Sequence, residues 1–208
     1  MARLVLATRN QGKLVELRAI LAEALADHAP GVDVERDVVG VDTLDLPDVV
    51  ESGVTFAENA LLKARFVAEQ TGLVAVADDS GLAVDVLGGA PGVFSARWSG
   101  RHGDDEANLR LLLAQLGDVP DEHRGAAFVC AAALVTADGH EHVEHGRLAG
   151  TLERAPRGSG GFGYDPVLTP FGYGRTLAEL EPGEKNAISH RGQAFRALAP
   201  QLASLLAG

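Results

Sequence analysis

The chain has 208 residues, 46% of them hydrophobic, and carries a formal net charge of -11. That length and apolar content can fill the core of one large α/β domain, or of two lobes sharing one sheet, and they exclude a disordered chain. The acidic balance excludes a protein that coats nucleic acid, which needs a broad Lys/Arg surface, and no apolar run reaches the roughly 18 residues of a membrane-spanning helix.

MARLVLATRN has too short an apolar run for a secretory segment, so a cytoplasmic location is expected. Residues 3–8, RLVLAT, read as a short strand, and from Lys13 the apolar positions Leu14, Leu17, Leu21 and Leu25 fall at helical spacing. Asn10 stands where a side-chain acceptor caps that helix, and Gly12 relaxes the turn. Thr55 and Glu58 have capping-box spacing, Phe56, Ala60, Ala64 and Val67 give a second helix its apolar face, and Gly72 ends it. LVAVA at 73–77 is a strand buried on both faces that delivers Asp78 and Asp79 to its end. A third helix starts at Asp104 or Asp105 and turns Leu109, Leu112, Leu113 and Leu116 inward. Residues 124–152 read as an antiparallel hairpin turning at Asp138-Gly139, with the single cysteine, Cys130, as a buried strand thiol. The Gly-, Pro- and aromatic-rich stretch 156–175 reads as a long loop, and a last helix runs from about Gly192 to Leu206. With no repeat and no linker, residues 1–208 form a single domain of α/β class, a mixed and partly antiparallel central sheet with flanking helices.

Three groups of residues could carry chemistry. Thr8, Asn10 and Lys13 lie where a strand gives way to a helix N-terminus, which suits phosphate, because first-turn N–H groups and the helix dipole favour an anion there. The P-loop pattern is missing, and a plain capping turn is the alternative. Glu51 with Asp78-Asp79-Ser80-Gly81 forms the acidic group. Carboxylates crowded at a strand tip have raised pKa values unless a cation relieves them. Magnesium is the natural cation, because it takes hard oxygen ligands from one or two carboxylates and from substrate phosphates, and a carboxylate beside it could accept a proton from an attacking water. An ordinary turn is the other reading. The third group is Gly160-Gly161-Phe162-Gly163-Tyr164-Asp165-Pro166 with Lys185, His190 and Arg191 downstream: small residues leave a ring face open for a purine, and the cations offer donors. Only Lys13, Lys63 and Lys185 are lysines, the other basic residues being arginine, which marks those three positions.

LATRNQGKLVEL, TFAENALLKA, ADDSGLAVDVLGGAPGVFSARWSG, GGFGYDP and EKNAISHRGQA, in that order, give the chain a resemblance to the inosine triphosphate pyrophosphatase family, which acts on the non-standard purine nucleotides XTP, ITP and dITP. The resemblance implies two lobes around a nucleotide cleft, a homodimer, and hydrolysis to a nucleoside monophosphate and pyrophosphate with Mg2+. It implies that Thr8, Asn10, Lys13 and Lys63 hold the triphosphate with Ser80 beside them. Asp79 would be general base and metal ligand, helped by Glu51 or Asp78. Phe162, Gly163, Tyr164 and Asp165 would line the base and sugar site, with Lys185, His190 and Arg191 reading the purine edge. A pyrophosphatase of modified pyrimidine triphosphates and a non-catalytic purine nucleotide-binding protein are the alternatives; nucleic acid and membrane are not expected partners.

Overall fold

The computed structural model describes residues 2–206. Strand β1 (Leu4–Leu6) is wholly buried and leads into helix α1 (Gln11–Ala26), whose N-cap Asn10 accepts the Lys13 backbone N–H at 3.0 Å. The expected stripe of leucines, Leu14, Leu17, Leu21 and Leu25, is the buried face. Residues 27–50, to which the sequence assigned no element, hold a one-turn helix α2 (Val34–Asp37) capped by Asp33, then β2 (Val38–Gly40). α3 (Phe56–Thr71) has the reciprocal Thr55/Glu58 capping box and ends at Gly72, whose φ of 68° is open to glycine at little cost.

The sequence expectation fails at β3, which runs over Val74–Val84 rather than stopping at residue 77. Asp78-Asp79-Ser80-Gly81 is therefore mid-strand. A turn is not needed because successive side chains point to opposite faces, and each carboxylate meets its own counter-charge there. Gly81 suits the crowded backbone, since a Cβ would lie 2.4 Å from Ser95 Oγ and 2.5 Å from the Gly92 carbonyl.

Helix α4 (Asp105–Gln115) is capped by Asp104 and buries Leu109 and Leu112, with Leu116 buried just beyond its end. β4 (Gly125–Val135) and β5 (Glu141–Leu152) form the expected hairpin, Gly139 taking φ 85° at its turn. The stretch read as one long loop also contains a 3-10 turn at Asp165–Val167 and a three-residue strand, β6 (Leu168–Pro170), antiparallel to β5. Such a strand is too short to show a period, and its proline is tolerated at a sheet edge. Helices α5 (Pro182–Ile188) and α6 (His190–Leu206) close the described chain. The strand order is β2-β1-β3-β4-β5-β6, with β1 parallel to both β2 and β3, so the sheet is mixed as expected.

The chain divides into two compact units, residues 1–79, 130–146 and 191–208, and residues 80–129 and 147–190. In the first, the sheet is buried on both faces. Leu4, Leu6, Val76, Cys130, Ala132 and Leu134 pack with α1 and α6, while Val5, Ala7, Ala75, Ala77, Ala131 and Ala133 pack with α3. The second has its own core, in which Leu82, Val84, Leu109, Leu112, Phe128, Leu152 and Tyr164 meet. Arg124 is buried in it and donates to the carbonyls of Leu116, Leu152 and Glu153.

Candidate active site

Parity along β3 sorts the acidic pair. Asp78 shares the face of Val76 and meets α1 and α6. Its Oδ2 takes Lys13 Nζ at 3.1 Å and Arg191 Nε at 3.2 Å, and Arg191 Nη1 reaches Glu16 Oε2 at 3.3 Å. Burial alone would push the Asp78 carboxyl up; Lys13, Arg191 and Lys63 outweigh it and hold the group well below the usual carboxylate range. For Arg191, burial opposes the charge, but Asp78 and Glu16 keep the guanidinium firmly protonated. Lys13 is delivered to this face because Asn10 starts α1 three residues earlier, and Thr8 Oγ1 accepts the Asn10 N–H at 3.3 Å, so the opening turn is internally braced.

Asp79 shares the face of Ala75 and Ala77 and meets α3. Its Oδ2 accepts the Asn59 amide at 3.0 Å, and its Oδ1 lies 3.9 Å from Lys63 Nζ, which also pairs with Glu51 Oε1 at 2.6 Å. Here burial wins: it raises the Asp79 carboxyl above its ordinary value, with Lys63 and Lys13 working against the rise and Glu51 adding to it. Burial disfavours the Lys63 ammonium, yet Asp79, Asp78 and Glu51 together hold its pKa above normal. Two adjacent aspartates therefore shift in opposite directions, whereas the sequence treated them as one crowded pair at a strand tip. At Asp78 the fixed protein cations outweigh burial, whereas at Asp79 burial outweighs them.

The donors around Lys63 fit magnesium. Glu51 and Asp79 offer carboxylate oxygens, which are hard ligands of the kind a divalent cation takes. Among the described residues no group of three or more His, Cys, Asp or Glu side chains could hold a metal ion. The protein would supply few ligands itself, as in magnesium sites completed by water and substrate phosphates.

In the second unit the glycine-rich turn is a built structure. Phe162 N–H donates to Asp165 Oδ2 at 2.9 Å, and buried Lys185 Nζ binds the same oxygen at 2.8 Å while lying 5.0 Å from the Phe162 ring centroid. One face of that ring is thus next to a cation. Gly161 is required, because a Cβ would meet Asp165 Oδ2 at 2.1 Å. Gly163 N–H donates to Asp105 Oδ2 at 2.9 Å, and the Tyr164 hydroxyl donates to the Ser95 carbonyl at 2.9 Å, anchoring Tyr164 in the core. His190 is buried and stacks on Phe128 at 4.9 Å with an 11° interplanar angle.

The residues expected to act together are grouped in this way. Thr8, Asn10 and Lys13 join Asp78, and Glu51 and Lys63 join Asp79. Phe162, Gly163, Tyr164, Asp165 and Lys185 form the aromatic turn, and Ser80 is half-buried next along β3. Arg191, expected to read the purine edge with Lys185 and His190, has its guanidinium on Asp78 and Glu16. Sequence reasoning missed Glu16, Asn59 and Asp105. Two of them had a signal: Glu16 follows Lys13 by three positions and Asn59 precedes Lys63 by four, spacings that put each polar residue on its lysine's side of the helix.

Comparison with known proteins gives a consistent answer. The Ham1 family model matches residues 4–201. A protein of Streptomyces coelicolor named dITP/XTP pyrophosphatase is 66% identical, the alignment covering 99% of this chain and 100% of the relative. A Mycobacterium tuberculosis protein of the same name is 56% identical over 99% and 98%. Among solved structures, a HAM1 protein from Coxiella burnetii superposes with a TM-score of 0.82 at 42% identity, covering 100% of this chain and 99% of that one. The dITP/XTP pyrophosphatase structure from Mycobacterium abscessus gives 0.73 at 54% identity, covering 95% and 98%.

Proposed function

The chain belongs to the Ham1 family, and from that premise we propose that it is a nucleoside triphosphate pyrophosphatase of non-standard purine nucleotides, converting XTP, ITP or dITP to the monophosphate and pyrophosphate as one functional domain. The observation that carries the reading is the buried Asp79 carboxylate, held through Oδ2 by Asn59 and lying 3.9 Å through Oδ1 from Lys63, the lysine that also pairs with Glu51.

In this reading Asp79, through Oδ1, takes a proton from the water that attacks the α-phosphorus, its Oδ2 being held by Asn59. Glu51 and Asp79 would hold Mg2+, with Asp78 turned to the other face toward Lys13 and Arg191. When bound, magnesium neutralises charge on the departing pyrophosphate. Lys63 and Lys13 add positive charge along the triphosphate, with Thr8, Asn10 and Ser80 as further polar contacts. Phe162, Gly163, Tyr164 and Asp165 line the base and sugar site, Phe162 through its ring and Tyr164 by anchoring the turn.

Discrimination follows from hydrogen-bond polarity. Hypoxanthine and xanthine carry an acceptor at position 6 where adenine carries a donor amine, so a buried donor facing an amine is left unsatisfied. Lys185, His190 and Arg191 are assigned to the purine edge. Both cations also hold protein carboxylates, Lys185 that of Asp165 and Arg191 those of Asp78 and Glu16; Lys185 leads because it lies over the Phe162 ring. A homodimer in the cytoplasm completes the assignment, with sedimentation velocity as the check on the dimer.

The deciding assay measures pyrophosphate from ITP, XTP, dITP, ATP, GTP and modified pyrimidine triphosphates, each with Mg2+ and with EDTA. Release confined to the deaminated purines and lost in EDTA is the expected result. Preference for a pyrimidine substrate, or nucleotide binding without release, would replace this reading with one of its rivals.

A further inference from the structure

Asn59 is 1% exposed, and both ends of its amide are used. Its Nδ2 donates to Asp79 Oδ2 at 3.0 Å, and its Oδ1 accepts the Gly53 backbone N–H at 2.8 Å. The partners fix the orientation of the amide, since a backbone N–H can only donate and an ionised carboxylate can only accept. Gly53 lies two residues beyond Glu51, so one side chain touches the first carboxylate directly and the backbone that carries the second.

The loop is built to stay there. Gly53 approaches Asn59 so closely that a Cβ would lie 2.7 Å from Oδ1 and 3.0 Å from the Asn59 backbone nitrogen. Beside it, Glu58 Oε2 accepts the Val54 N–H at 2.7 Å and the Thr55 N–H at 3.2 Å. The segment from Gly53 to Thr55 is thus stapled to the first turn of α3, and Lys63, one turn after Asn59, binds Glu51 from the same helix. Side chains that orient ligands are commonly worth 10- to 100-fold in metal affinity.

We infer that Asn59 is a positioning residue whose amide fixes Asp79 with its nitrogen and the Glu51 loop with its oxygen, setting the spacing of the two carboxylates offered to the divalent cation. The inference rests on the proposed cation-dependent pyrophosphatase reading. Three variants separate the two ends of the amide. Asn59→Asp keeps an acceptor for Gly53 and loses the donor to Asp79, Asn59→Ala loses both, and Gly53→Ala leaves the amide in place but crowds its oxygen end at the loop.

The test has two readouts on the full chain. One is the Mg2+ concentration giving half-maximal pyrophosphate release at saturating ITP, together with KM for ITP at saturating Mg2+. The other is Mn2+ binding to substrate-free protein by electron paramagnetic resonance. All three variants are expected to raise the Mg2+ half-saturation and weaken Mn2+ binding by about 10-fold or more, with KM for ITP changed less than about 3-fold. Removing a merely structural contact would lower the yield of folded protein or its Tm and leave both cation constants in place. Should Asn59→Ala fail to fold, Asn59→Asp and Gly53→Ala carry the test. Variants that keep cation constants within about twofold of the parent overturn the role of Asn59 alone; a parent protein that turns over ITP equally well in EDTA overturns the functional reading and this inference with it.

Discussion

The two faces of β3 in the first unit are built from the same materials and behave differently. On the α1–α6 face Asp78 meets Lys13 and Arg191, with Glu16 behind, and the charges are settled by the protein itself. On the α3 face Asp79 accepts from a neutral amide and lies 3.9 Å from a lysine shared with Glu51, and burial raises its carboxyl above the ordinary value. The contrast teaches that burial of a carboxylate does not by itself indicate catalysis. What separates the two aspartates is the balance between burial and fixed counter-charge, and here one residue of sequence suffices to change it.

The largest expected effect falls on turnover. Asp79→Asn should fold and lose pyrophosphate release by about 10²- to 10⁴-fold, the usual worth of a general base; near-normal release would remove Asp79 from the chemistry. The same variant should have a Tm at pH 7, measured in EDTA, at or above that of the parent. The sign follows from linkage: a carboxyl whose folded-state pKa is raised contributes most below its unfolded value and becomes unfavourable as pH rises through the folded one.

Asp78→Asn should do the reverse, lowering stability by roughly 3–5 kcal/mol, because it leaves half-buried Lys13 without its anion and buried Arg191 with Glu16 alone. Its depressed pKa means the contribution is present above the unfolded value and lost as pH falls through the folded one. Urea unfolding in EDTA should therefore show the gap between variant and parent closing below about pH 4. A gap constant from pH 7 to 3 would contradict the assignment of counter-ions.

Selectivity comes next in size. Lys185→Ala should narrow the ITP-to-ATP rate ratio by about 10-fold or more, the worth of a charged hydrogen bond, and by more than Arg191→Ala does, whose first effect should be on stability. The opposite order would return Arg191 to the leading place at the purine edge. Tyr164→Phe should have the smallest effect, about 1 kcal/mol in unfolding free energy from the lost bond to the Ser95 carbonyl, with the ITP-to-ATP ratio unchanged.

What could be read from the sequence is what is settled locally. Asn10, Thr55, Glu58 and Gly72 satisfy backbone groups within a few residues of themselves, and all four stand where the spacing predicted. The hairpin around Gly139 and the buried Cys130 follow from patterns of similar range. The course of Asp78-Asp79-Ser80-Gly81 does not. Those are turn-forming residue types, and they remain in a strand because of partners far along the chain, Lys13 65 positions away and Arg191 113 positions away. The same distance hid the engagement of Arg191, and β2 and β6 were missed because three residues cannot establish a period. The candidate residues themselves were named in advance, but their division between two faces required the partners to be seen.

Because direction in a pleat depends only on odd and even position, β3 is sensitive to length in a way it is not to composition. Loss of a single residue just before Asp78, Ala77 for example, would rotate everything downstream by half a repeat. The carboxylate proposed to hold a divalent ion would then face arginine and lysine, and a serine would stand beside Lys63. Most exchanges of one small apolar residue for another would leave the arrangement standing, whereas a frame slip of one position would silence the molecule without altering any group that takes part in its chemistry.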